Sequence, residues 1–118
     1  MYVAPDEFQM KVERGDRIVL ARDEPENGMR PSVSSLFRSL ADVYGGEAVA
    51  GLLSGMGRDG AEELRFLRAG GAITFAQDKD SSVVHGMPGE AIKLDAATLV
   101  LYPEKIAATL TGLANHRM

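Results

Sequence analysis

The sequence predicts an α/β protein: a doubly wound, mainly parallel, Rossmann-like sheet preceded by an antiparallel β-hairpin. Three observations carry this. Short apolar runs alternate with helix-period segments from about residue 47 to the end. Glycine pairs and prolines punctuate the joints between them. Near the start, two segments with period-two patterning flank a tight polar turn.

Taken in order, "MYVAP" reads as a strand that begins at the first residue, and residues 8–13 (FQMKVE) and parts of 17–22 (RIVLAR) alternate apolar with polar. "RGDR", with Gly15, turns between the last two, giving a hairpin with one wet face. "DEPENGMRPS" is a polar loop rich in turn formers. From Pro31 the period lengthens: Val33, Leu36, Phe37, Leu40 and Tyr44 fall on one helical stripe, and Gly45–Gly46 stops it. "AVAGLLS" is a nearly all-apolar run, as a strand covered on both faces requires. Asp59 or Gly60 opens a helix with Ala61, Leu64 and Leu67 inward, and Gly70–Gly71 closes it. "AITFAQ" is the next strand. Pro88 sits where a helix start tolerates a missing N–H, with Ala91, Ile92 and Leu94 following. "ATLVLY" is the last strand, and Pro103 starts a helix with Ile106, Leu110 and Leu113 along one stripe. Strand–helix alternation of this kind makes parallel strands with helical crossovers.

Length and composition narrow the function classes. The 118 residues suit one domain, 1–118, and are 45% apolar and 25% charged, ordinary for a globular protein. Net charge is −4, so no phosphate-tracking surface is expected and nucleic acid is not an expected partner. Apolar runs are too short for membrane insertion, and no signal-peptide pattern is expected. Without cysteine the chain has neither disulfides nor thiolate metal ligands, which fits a cytoplasmic setting.

The loop "LLSGMGRDGAEEL" raises the functional question. Gly55, Gly57 and Gly60 have G-x-G-x-x-G spacing, and Asp78 follows where a dinucleotide fold holds ribose. Yet Asp59 precedes the third glycine. A carboxylate at a helix N-terminus is stabilised by unpaired N–H groups and the dipole, by about 0.3–1 kcal/mol when exposed. It would occupy or repel from the phosphate position, so the loop carries its own anion. Asp59 is then either an N-cap or, at the carboxyl end of a parallel strand, a carboxylate that orients a catalytic partner.

"LLSGMGRDGAEEL" and "AGGAITFAQDKDSSVVHGMPGEAI", with "MYVAP" and "RPSVSSLFRSLADVYG", resemble the C-terminal half of the catalytic domain of the CheB chemotaxis protein-glutamate methylesterases. The resemblance spans nearly the whole chain. It implies a serine esterase that demethylates glutamyl side chains of chemoreceptors and deamidates certain glutamines, with a Ser-His-Asp triad and no cofactor. On that resemblance Asp59 is the triad carboxylate and Met56 supplies a backbone N–H to the oxyanion hole. The chemistry agrees: a buried carboxylate that accepts a histidine N–H fixes the tautomer and stabilises the imidazolium.

The family's serine and histidine blocks lie upstream and have no counterpart in this chain, so as a single chain it is not expected to be a competent esterase. His116 reads as a solvated end and His85 as a space-filling loop histidine. A Ser82–His85–Asp59 arrangement lacks a nucleophile elbow. Ser34 stands where the family usually has Asp, and Asp95 where it usually has Gly; Asp tolerates the left-handed conformation. In the family the missing strands pair with those present. The expectation is therefore a homodimer, a complementary N-terminal half, or a fragment of a longer protein. Two other readings compete: a non-catalytic receptor-binding or signalling module, and a nucleotide-binding domain.

Overall fold

The computed structural model describes residues 2–26, 28–55 and 57–117, with side chains as far as 113. The hairpin comprises β1 (Gln9–Glu13) and β2 (Arg17–Ala21), paired antiparallel with Gln9 opposite Ala21 and Glu13 opposite Arg17. Gly15 and Asp16, both with positive φ, make the turn. Cross-strand pairs Met10–Leu20 and Val12–Ile18 share one face. That face is half open, with Ile18 41% and Leu20 46% exposed.

"MYVAP" departs from expectation. Tyr2–Pro5 forms no strand: Tyr2 and Val3 are 76% and 81% exposed and have no ladder partner among the described residues. Extended backbone without a partner satisfies its polar groups with water and gains nothing from pairing.

Helix α1 (Val33–Val43) follows the polar loop. Ser32 caps it, its Oγ accepting from Ser35 N at 3.1 Å. The helix lies against β1, where Ser39 Oγ accepts from Val12 N at 3.0 Å. After a short 3₁₀ turn at Gly45–Glu47 come β3 (Val49–Leu52), α2 (Ala61–Ala69), β4 (Ile73–Gln77), α3 (Met87–Lys93), β5 (Leu99–Leu101) and α4 (Pro103–Arg117).

β3, β4 and β5 form a parallel sheet in that order, with Gly51 opposite Phe75 and Ala76 opposite Val100. The predicted α/β class is therefore the observed one. α2 and α3 touch each other and both touch β3 and β4; α4 also touches β4. The core joins Ala50, Leu52 and Ala76 of the sheet to Leu64, Leu67 and Ala91 of the helices. Thr74 keeps its buried hydroxyl satisfied by donating to Ala96 O at 2.6 Å and accepting from Thr98 N at 3.1 Å. On the other face the Phe75 ring lies on Gly51, where an added Cβ would come within 2.2 Å of it. Val49, Ile73, Leu99 and Leu101 share that face and are only half buried.

Candidate active site

The loops after β3 and β4 meet at the carboxyl edge of the sheet, where open α/β folds place their ligands and catalytic groups. Gln77, the last residue of β4, ties them together. Its Oε1 accepts from Ser54 N at 2.8 Å, and its Nε2 donates to Ser81 O at 2.9 Å. Gly55 adds three backbone bonds: its N–H donates to Val84 O at 2.8 Å, and its carbonyl accepts from Gly86 and Met87 N–H at 2.9 and 3.0 Å. Gly86 must lack a side chain, because a Cβ there would meet Gly55 O at 2.6 Å and Gly57 N at 2.7 Å. Met56 itself lies outside the described residues, but Gly55 and Gly57 on either side of it are held by this packing.

Asp59 is buried, with 2% of its surface exposed. Its Oδ2 accepts from Val33 N at 2.6 Å, and its Oδ1 accepts from Ser34 N at 3.2 Å and Ser34 Oγ at 2.8 Å. Ser34 Oγ in turn accepts from Gly60 N at 3.0 Å. The carboxylate therefore sits at the N-terminus of α1, not that of the helix it precedes in sequence. This corrects the simple N-cap reading: α2 starts on Gly60, with no side-chain cap. Gly60 has φ +86°, a conformation open to glycine, and it packs so closely that a Cβ would lie 2.5 Å from Val33 Cγ1. That turn directs the Asp59 carboxylate across to α1, whose positive end balances its charge.

The other sequence-predicted residues have local jobs. His85 Nε2–H donates to Gln77 O at 3.0 Å, and Ser82 Oγ donates to Asp78 O at 2.6 Å. Their hydrogen bonds go to backbone carbonyls, so the structure does not assemble Ser82, His85 and Asp59 into a triad. Asp78 accepts from Ser81 N at 3.1 Å and from Ser81 Oγ, closing its own turn. The His116 side chain lies outside the described residues. Asp95 does adopt the left-handed conformation, φ 57°, and pairs with Arg68 Nη1 at 2.8 Å. Against the nucleotide reading, Gly60 serves close packing on Val33, and the Asp59 carboxylate is held by the first turn of α1.

Sequence reasoning missed Ser34 and Gln9 as supports. Gln9 is fully buried: its Oε1 accepts from Ser32 N at 2.8 Å, and its Nε2 donates to Glu24 O at 3.1 Å and Met29 O at 3.2 Å. A glutamine inside an amphipathic strand was the available signal. Nothing local marks Ser34, since its partner is 25 residues away.

A parallel sheet with its glycine loop and a buried, doubly anchored carboxylate gathered at the carboxyl edge defines an open α/β domain, the architecture that places its functional groups at that edge. More particularly, the chain belongs to the CheB methylesterase family, whose sequence model matches residues 1–110. It is 69% identical over 117 residues to a protein-glutamate methylesterase/protein-glutamine glutaminase of Nitrosospira multiformis, covering 99% of this chain and 33% of that protein. A Geobacter metallireducens protein of the same description is 58% identical over 114 residues, covering 96% and 33%. The catalytic domain of Thermotoga maritima CheB methylesterase superposes with a TM-score of 0.90 at 30% identity, over 95% of this chain and 61% of that one. The chain thus spans about a third of the length of the curated relatives it matches.

Proposed function

We propose that residues 1–118 form part of one methylesterase catalytic domain and supply Asp59 and the Met56 backbone N–H to an active site completed by another segment. The site hydrolyses methyl esters of glutamyl side chains on chemoreceptors and deamidates glutamines, in a cytoplasmic setting. A serine from the completing segment attacks the ester carbonyl while a histidine takes its proton, then returns it to the departing methanol; water releases the glutamyl carboxylate by the same route. Asp59 accepts the histidine N–H and holds the ring in the productive tautomer. The Met56 N–H stabilises the oxyanion, an interaction whose loss typically costs about 100- to 1,000-fold. The observation that carries this reading is the buried Asp59 carboxylate, fixed by three donors at the carboxyl edge of the sheet.

Methanol release from methylated chemoreceptor tests it, using this chain alone and mixed with the N-terminal half of a related catalytic domain. Activity is expected only in the mixture, and Asp59→Asn should lower it by about 10,000-fold, as wrong-tautomer triads do. Activity from the chain alone, or an active Asp59→Asn mixture, would refute the assignment.

A further inference from the structure

Beside the Asp59 loop, on the α3 side, lies an open cleft of about 600 Å³. Arg58, Lys79 and Lys93 line it, together with the ring of His85, the side chain of Ile92 and one carboxylate, Glu90. The three cations come from three separate segments: the β3–α2 loop, the β4–α3 loop and α3 itself. All three are exposed. None takes part in the ion pairs found among the described residues, where Lys11, Arg30, Arg38 and Arg68 each hold a carboxylate. In a chain of net charge −4, these three cations gather beside the Asp59 loop, with Arg58 also bordering a neighbouring cleft lined by Glu26, Glu62, Glu63 and Glu90.

We propose that this cleft binds carboxylates on the substrate polypeptide next to the group being hydrolysed, so that Arg58, Lys79 and Lys93 select acidic, glutamate-bearing segments. The inference rests on the methylesterase reading and deepens it. Each hydrolysis converts a neutral ester into a carboxylate, so a segment with several such side chains grows more acidic as it is processed. A basic cleft beside the reaction centre favours the segment that has already lost esters. Ile92 offers apolar surface for the methylene stems, and Glu90 disfavours a ligand that fills the cleft with negative charge throughout. That mixture of charges favours a peptide carboxylate over a polyphosphate. Exposed charge pairs contribute individually little, and their sum is salt-sensitive.

The test is direct binding of a fluorescein-labelled helical peptide containing four glutamates to this chain, by anisotropy at low and at physiological salt. Removing all three cations (Arg58→Gln, Lys79→Gln, Lys93→Gln) should weaken binding about tenfold, as should replacing the peptide glutamates by glutamine. Added salt should erase the difference. Circular dichroism checks that the variant folds, which the exposure of all three positions favours. Equal binding of glutamate and glutamine peptides, an unaffected triple variant, or no binding at all would overturn the proposal. So would inorganic phosphate or ATP displacing the peptide at concentrations where glutarate does not. The measurement needs no hydrolysis, so its failure is distinct from failure of the methanol-release assay.

Discussion

At the scale of single residues, the Asp59 carboxylate depends on Ser34 as much as on its own loop. The hydroxyl of Ser34 donates to Asp59 and accepts from Gly60 N–H, and both residues are almost wholly buried. Ser34→Ala leaves the Gly60 N–H without its acceptor and removes one donor from a buried anion. Urea denaturation should show a loss of about 1–3 kcal/mol, the usual cost of stranding a buried polar group. A loss below half a kcal/mol would mean that the loop repacks around alanine. The sequence could single out Asp59 because a carboxylate beside the third glycine of such a loop is conspicuous, while its triad role comes from the family resemblance alone. It shows Ser34 only as a departure from the family's usual Asp and not as a support of Asp59, since a serine in a helix's first turn looks the same whether it meets solvent or a carboxylate.

At the scale of elements, the two connections at the carboxyl edge behave as one unit because Gly86 sits directly on the backbone of Gly55 and Gly57. Gly86 has φ −77°, so alanine suits its own backbone and the cost comes from its Cβ meeting the facing loop. Gly86→Ala should therefore cost about 1–3 kcal/mol in melting experiments. On the proposed assignment it should also lower the rate of the complemented esterase by about 100-fold, because Gly55 and Gly57 are pushed from their places. At the opposite end of α1, the Tyr44 hydroxyl donates to Asp16 in the hairpin turn, and this bond holds the phenol above its ordinary pKa. Because the folded value is raised, the contribution is complete below the ordinary tyrosine range and disappears as pH climbs through the raised value. Asp16→Asn keeps a side chain suited to positive φ. Absorbance titration of that variant should show one tyrosine ionising at lower pH than in the parent; identical curves would refute the link. Element order was legible from periodicity: the glycine pairs, Pro88 and Pro103 mark boundaries close to those observed. "MYVAP" misled because strand propensity says nothing about whether a partner strand is there.

At the scale of the whole molecule, the three-stranded sheet has β3 at one edge, with pairing only to β4 among the described residues. The half-buried face of Val49, Ile73, Leu99 and Leu101 runs across the sheet from that edge to β5. Edges and apolar faces of this kind recruit further strands. Sedimentation velocity should show the chain self-associating as concentration rises, and forming a one-to-one complex when the N-terminal half of a related catalytic domain is added. A monomer that ignores the added half would refute this. The sequence anticipated the exposed edge only through the family resemblance, because apolar patterning alone does not say how many strands a sheet has. The bonds around Gln9 set a further limit on how this molecule can be divided. Gln9 fixes Ser32, Ser32 starts α1, and the first turn of α1 grips Asp59. The hairpin is thus the footing of the acid rather than an ornament at the chain's start. A shorter transplant cut to begin at Pro31 would keep the glycine loop letter for letter, and the turn that grips its carboxylate, but lose the strand that moors that turn.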